Sequence, residues 1–77
     1  MTYLIIFDIY FYEESMIFPT KYNHYNHRDQ NKVIDFVKIE DDIGLQYLIN
    51  VIGKEYMEDM GGRFKLDHVT IKSLTVL

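Results

Sequence analysis

Residues 2–12 read TYLIIFDIYFY, and this stretch decides the fold of the chain. Its residues alternate as in a β-strand, where successive side chains point to opposite faces of a sheet. One face is wholly apolar and comprises Tyr3, Ile5, Phe7, Ile9 and Phe11. The other face also begins apolar, with Leu4 and Ile6 before Asp8. A strand that is apolar on both faces is covered on both sides or lies at an interface, and we favour the interface.

A helix is predicted to begin at Asp41 or Asp42, where the hydrophobic period changes from two to about 3.6 residues. Either aspartate can cap the first turn by accepting hydrogen bonds from free backbone N–H groups. Gly61 and Gly62 end the helix, since glycine tolerates the left-handed conformation that follows a helix. The stripe expected to face the core is Leu45, Leu48, Ile49, Ile52 and Tyr56.

Two more strands are predicted, at residues 33–40 and 63–77. The apolar residues of the last segment change parity twice, which predicts β-bulges near Asp67-His68 and Lys72-Ser73. Residues 13–32 are predicted to form an irregular loop, with a candidate short strand at residues 16–18. The chain is therefore expected to be a single domain, residues 1–77, of the α+β class. Its mainly antiparallel sheet of three to four strands carries one helix on a face.

Composition narrows the class of protein. The 77 residues include no cysteine, which excludes disulfides and thiolate metal sites. No segment approaches the ~18 continuous apolar residues of a membrane span. A cytoplasmic protein is therefore predicted. The hydrophobic content of 48% is high for so short a chain and predicts a second packed surface, most simply in a homodimer.

The tandem YNHYNH at residues 22–27 suggests two kinds of site. The two histidines of the tandem, with the distant His68, are candidate ligands for zinc or nickel, because neutral imidazole binds both metals. Their spacing is unspecific, and we predict no metal site. Across residues 21–32, tyrosines are interleaved with the cations Lys21, Arg28 and Lys32, as on surfaces that bind single-stranded nucleic acid, so a small nucleic-acid-binding module using this loop is the alternative function. Direct nucleic-acid binding is not the leading expectation, because the net charge is −4. This secondary interaction loop comprises Tyr22, His24, Tyr25, His27 and Arg28.

Catalysis is not predicted. Neither of the two serines lies in a nucleophile elbow, and the sequence has no glycine-rich phosphate loop. It therefore carries no enzyme signature. Adjacent carboxylates at residues 40–42 are better explained as a turn and a helix cap than as an acid–base pair. We therefore expect neither enzymatic activity nor a cofactor.

Acidic residues are concentrated between residues 35 and 59, where seven carboxylates face only two lysines. Carboxylates at the C-terminal end of a helix meet the negative end of its dipole, which usually costs a few tenths of a kcal/mol each. Folding alone does not require them, so they are candidate contacts for a basic partner. The predicted partner-binding residues are Glu55, Glu58, Asp59, Asp35, Glu40, Asp41 and Asp42.

A short, cysteine-free, acidic α+β chain with such a window resembles the small host-takeover inhibitors of bacteriophages. That resemblance implies a non-enzymatic protein that inhibits or modulates a host macromolecule through its acidic surface. It also implies a basic nucleic-acid-binding protein as the partner, occupied either by direct docking or by mimicry of DNA.

Overall fold

The computed structural model describes residues 1–14 and 22–77, and these residues form three strands and one helix in the order β-β-α-β. The elements are β1 (Thr2–Glu14), β2 (Tyr22–Asp35), α1 (Asp42–Met60) and β3 (Phe64–Val76). The sheet order is β2-β1-β3, and both edge strands run antiparallel to β1. The predicted α+β class, with one helix on an antiparallel sheet, is confirmed.

The core lies between one face of β1 and the helix. The five apolar residues that alternate along β1, from Tyr3 to Phe11, are all buried, and Ile5 and Ile9 are fully inaccessible. Leu48 and Ile52 of α1 pack against this face, and both are buried. Each large apolar side chain buried in this way contributes about 1.5–3 kcal/mol relative to its exposed state, so the two-residue alternation of β1 supplies much of the stability.

Two β-bulges interrupt β3 where the sequence predicts them. The partners along β1 skip Lys72, between Ser73 and Ile71, and skip Asp67, between His68 and Leu66. A third irregularity lies in β2, where two residues, Arg28 and Asp29, oppose the single residue Asp8. Bulges on edge strands disturb the row of free backbone groups that another strand would need for pairing.

Both predicted ends of the helix are confirmed. Asp41 is the N-cap, and its side chain accepts a hydrogen bond of 2.9 Å from the backbone N–H of Gly44. Gly61 ends the helix with φ of 88°, a conformation that other residues rarely adopt. Within the helix, Gly53 lets the backbone approach β3, because a Cβ atom there would lie 2.7 Å from Cδ2 of Leu66.

The molecule is elongated, with extents of 46 × 22 × 18 Å. Because a strand rises more per residue than a helix, the strands of 13 and 14 residues extend further than the 19-residue helix, and α1 covers only part of the sheet. Beyond the C-terminal end of α1, an aromatic cluster continues the core. Phe11 contacts Tyr25 and Phe64, each at a centroid distance of 5.6 Å.

Two predicted boundaries are wrong. Residues 22–32, expected in a loop, form most of β2, because an edge strand can take its conformation from pairing with β1 even when its own residues are polar. Residues 36–40, expected in the second strand, lie outside any strand. Phe36 and Ile39 nevertheless pack against the core as the chain turns toward the helix. The candidate strand at residues 16–18 lies outside the described residues.

Candidate interaction surface

One end of the molecule is built from four segments that the topology brings together. β1 starts there, β2 and β3 end there because they run antiparallel to β1, and α1 begins nearby. Met1 and Phe36 exchange backbone hydrogen bonds of 2.8 Å, and Leu77 donates one of 2.9 Å to the carbonyl of Thr2. These bonds hold the segments in fixed positions relative to one another.

Large hydrophobic side chains are exposed at this end. Ile43 is 80% exposed, Val37 72% and Tyr47 62%. Ten large hydrophobic residues are exposed in the described part of the chain, and eight of them lie here. We call these eight the apolar end: Met1, Val33, Val37, Ile43, Tyr47, Leu74, Val76 and Leu77. Such grouping differs from the single scattered hydrophobic residues that are normal on a soluble surface, and it makes this end the candidate interaction surface.

Two exposed residues of the apolar end belong to α1. Ile43 and Tyr47 are four residues apart and therefore lie on the same side of α1. The ring of Tyr47 contacts that of Phe36 at a centroid distance of 5.6 Å, and this contact helps to fix the position of the exposed tyrosine ring. A shallow hollow beside these residues is lined by Asp42, Gln46 and Asn50 as well. An apolar side chain of a partner could occupy this hollow.

Four of the seven predicted partner-binding carboxylates lie at the apolar end. Asp41 caps the helix and Asp42 lies in its first turn. Glu40 is 3.8 Å from the ammonium group of Lys38, a distance too long for a strong hydrogen bond. Asp35 accepts a hydrogen bond from the hydroxyl of Thr2 on the other face of the sheet. The apolar end thus carries three carboxylates on the helix side and Asp35 on the other face, together with Lys38 and the N-terminal ammonium group.

The other three carboxylates lie near the C-terminal end of α1. Glu58 is about 24 Å from Asp42 along the helix axis, given a rise of 1.5 Å per residue. Glu55 already forms an ion pair with Lys32 of β2. Glu58 and Asp59 make no ion pair or side-chain hydrogen bond with the described residues. The predicted acidic surface is therefore two separate groups. The group at the N-terminal end of α1 adjoins the apolar end, whereas Glu58 lies beside a hollow that Met57, Phe64 and Leu66 help to line.

The secondary interaction loop does not form one surface. Its residues belong to β2 from Tyr22 onward, and alternation sends neighbouring side chains to opposite faces. His24 pairs with Tyr12 on the uncovered face, whereas Tyr25 and His27 lie opposite Phe11 and Ile9 on the helix side. His24 and His27 consequently cannot ligate one ion together. Among the described residues, no group of three or more His, Asp or Glu side chains is placed to hold a metal ion.

His27 instead joins β2 to the helix. Its Nδ1 is hydrogen-bonded to the hydroxyl of Tyr56, and its ring packs edge-on against Phe11 at 5.1 Å. Burial raises the pKa of Tyr56 above its ordinary value of 10.0. The neutral phenol is therefore favoured, which keeps this hydrogen bond available over the neutral pH range.

A charged cluster occupies the middle of the uncovered face. Lys72 donates a hydrogen bond of 2.6 Å to Asp29 and lies 3.8 Å from Asp8. The hydrogen bond to Asp29 raises the pKa of Lys72 above its ordinary value of 10.5, and the charge of Asp8 adds to this effect. Lys72 offsets one of the two carboxylates and the nearby Arg28 offsets the other, and the bonds of this cluster join β1, β2 and β3.

Val37, Ile43 and Tyr47 are the site residues that sequence reasoning missed. Ile43 and Tyr47 lie off the predicted core stripe of the helix, and that displacement is the signal that could have identified them. The exposure of Val37 was not predicted, because residues 33–40 were expected to form one strand. The composition did indicate excess apolar surface, but not its location.

The fold and this surface define a small α+β protein whose apolar end is exposed and lies near several carboxylates. Comparison with protein-family models, with curated proteins and with solved structures found no match for this chain. Crossing a membrane would require a longer apolar run than the described residues place in any helix.

Proposed function

We propose that this protein is a non-enzymatic binding protein whose apolar end docks onto a basic surface of a partner protein. The observation that carries the proposal is the exposure of Val37, Ile43 and Tyr47 at the end of the molecule where Glu40, Asp41 and Asp42 lead into α1. Interfaces typically combine an apolar centre with a polar rim, and a few central aromatic and aliphatic residues supply most of the affinity.

The negative charge near the apolar end indicates which kind of partner surface would be complementary to it. On the helix side of this end, Glu40, Asp41 and Asp42 lie with Lys38, and these four residues have a net charge of −2. A partner with lysine or arginine around an apolar side chain is complementary to this arrangement, and complementary potentials accelerate association. Nucleic-acid-binding proteins carry such basic surfaces, and the resemblance to phage inhibitors suggests a host protein of that kind.

Direct docking fits the apolar end better than mimicry of DNA. A DNA mimic needs carboxylates arranged along a continuous track, since the phosphates of a duplex recur every few ångströms along each strand. Here the two acidic groups are about 24 Å apart along the helix. Exposed isoleucine and valine have no counterpart in a phosphate backbone. We therefore infer that the apolar contact anchors the partner and that the carboxylates orient it.

The test uses three synthetic peptides that share one central leucine and differ in their flanking residues. The flanks are Lys/Arg, Glu/Asp or Ser/Gly, and binding to the full chain is followed by fluorescence anisotropy. The basic peptide should bind at least about tenfold more tightly than the acidic one, a difference of about 1.4 kcal/mol. That preference should weaken between about 50 mM and about 500 mM salt, because ions screen exposed charges.

Matched variants assign the contact to one end of the helix. Ile43→Ser with Tyr47→Ser should remove binding of the basic peptide, and Glu40→Lys with Asp42→Lys should weaken it. The control Glu58→Lys with Asp59→Lys makes the same charge change at the other end and should leave affinity unchanged. Equal binding of all three peptides would contradict the proposal. Loss of binding in the control alone would move the site to the C-terminal carboxylates.

A further inference from the structure

The face of the sheet that α1 does not cover has the composition of an interface. We call it the open face, and its centre is the even-numbered side of β1. Leu4, Ile6, Tyr10 and Tyr12 lie along this line, and each is only half-buried. A solvated sheet face normally alternates to polar residues, whereas this central line is mainly aliphatic and aromatic.

Around Leu4 and Ile6 the edge strands flank this line with uncharged side chains, whereas Lys65 lies beside Tyr12 at the far end. Ile6 lies between Asn31 of β2 and Ser73 of β3, and Thr75 lies beside Leu4. Tyr10 is stacked on His68 at a centroid distance of 4.3 Å. An apolar centre with few charges around it is the pattern of a protein–protein interface core.

Four charges lie at the middle of the open face, on Asp8, Asp29, Lys72 and the nearby Arg28, and they sum to zero. Lys72 bonds Asp29, and the backbone N–H of Asp29 donates a hydrogen bond of 2.9 Å to Asp8. Burial of a charge is costly chiefly when its partner is missing, so a paired cluster is less of an obstacle to docking. The pairing also leaves little net charge on this part of the face, which disfavours a nucleic-acid ligand.

The size of the open face suits a second copy of the chain. Thirteen residues at about 3.4 Å and three strands about 4.8 Å apart give a face of roughly 600 Å². Two such faces bury about 1,200 Å², which is the lower end of the range for stable complexes. Edge-to-edge pairing is a poorer alternative, because bulges interrupt both edge strands.

We propose that the open face is the surface through which two copies of this chain form a reversible, two-fold homodimer. The two sheets pack face to face about 10 Å apart, with Leu4, Ile6 and Tyr10 at the centre. A two-fold axis makes the same patch complementary to itself, as in the most common class of oligomer. The small area implies a concentration-dependent equilibrium. The inference does not depend on Val37, Ile43 and Tyr47, of which Ile43 and Tyr47 stay accessible on α1; Val33 of the apolar end pairs with Leu4 and lies on the open face.

Sedimentation of the full chain across a range of concentrations tests the dimer. The apparent mass should rise with concentration from 9.3 kDa toward twice that value. Asn31→Glu with Ser73→Glu places two carboxylates beside Ile6 at exposed positions, and this variant should remain at the monomer mass. The control Ile43→Glu, on the helix side, should dimerise like the natural sequence. A chain that stays monomeric, or one that only Ile43→Glu dissociates, overturns the proposal.

Thiol protection provides a second measurement that does not depend on the stability of the charged variant. The chain has no cysteine, so Thr75→Cys on the open face and Gln46→Cys on the helix each introduce a single reactive group. Alkylation of Thr75→Cys should slow several-fold as concentration rises, while Gln46→Cys should react at a constant rate. Equal rates at all concentrations exclude the open face as the contact. Quenching of tyrosine fluorescence by oligothymidylate in a monomeric chain would assign the face to nucleic acid and also overturn the dimer.

Discussion

The backbone N–H of Asp29 donates a 2.9 Å hydrogen bond to Oδ1 of Asp8 across the irregular pair of β1 and β2. Asp8 is the only buried charged residue among those the structure describes, at 8% exposure. Asp29 has φ of 54°, a left-handed conformation in which aspartate is enriched. The carboxylate of Asp8 thus supplies the acceptor that the bulge in β2 requires, since its extra residue has left the regular ladder.

Asp8→Ala should lower the free energy of unfolding by about 2 kcal/mol, because the N–H of Asp29 loses its acceptor in a largely buried position. Asp8→Asn keeps an oxygen at the same place and should cost less than about 1 kcal/mol. Urea unfolding of the two variants measures both values. Equal losses would show that the charge facing Lys72, rather than the hydrogen bond, stabilises the bulge.

Asp41 has a structural role that can be separated from its proposed role in binding. Asp41→Ala removes the N-cap of α1 and should lower stability by about 1 kcal/mol. Asp41→Asn retains a capping oxygen and should leave stability nearly unchanged, because asparagine caps as well as aspartate. Thermal unfolding distinguishes the two variants. If Asp41→Asn weakens binding of the basic peptide without loss of stability, the charge itself contacts the partner.

The central strand and the helix could be predicted because their own residues specify them. The two-residue alternation of β1 and the capped 3.6-residue pattern of α1 are strong local signals, and both elements form as expected. The bulges at Asp67 and Lys72 were also predictable, because one extra residue in a strand shifts its apolar side chains to the alternate sequence positions.

β2 could not be predicted in the same way, because residues 22–32 take their conformation from β1. Their side chains are polar on both faces, so no periodic signal distinguishes them from a loop. The candidate site depended on the same tertiary information. Val37 lies near the start of β1 only because antiparallel pairing returns β2 to that end of the sheet.

Ionisation of Tyr56 at high pH should lower the stability of the folded protein. Burial raises the pKa of its phenol above 10.0 in the folded state, so the folded protein retains this proton longer than the unfolded chain does. The stability that this group contributes is fully present below the unfolded pKa and is lost as pH rises through the folded pKa. Tyr56→Phe should therefore show a shallower decline of melting temperature above about pH 10.

Tyr47→Phe is the matched control for that experiment, because Tyr47 is 62% exposed and lies on the same helix. Its alkaline decline should match that of the natural sequence. Tyr56→Phe also loses the hydrogen bond to His27, which lowers stability at every pH by about 1 kcal/mol. The slope with pH, and not the absolute melting temperature, is therefore the quantity to compare. Identical slopes in both variants would show that Tyr56 does not titrate with unfolding.

Ile43 and Ile52 test whether the exposed apolar residues serve folding or binding. Both are isoleucines of α1, but Ile52 is 1% exposed and Ile43 80%. Ile52→Ala should lower the free energy of unfolding by about 2–5 kcal/mol, since it leaves a cavity against β1. That is a large part of the ~5 kcal/mol expected for so small a domain. Ile43→Ala should change it by less than about 0.5 kcal/mol, as surface substitutions usually do. Urea unfolding measures both, and a substantial loss in Ile43→Ala would mean that this side chain is needed for the fold and not kept free for a partner.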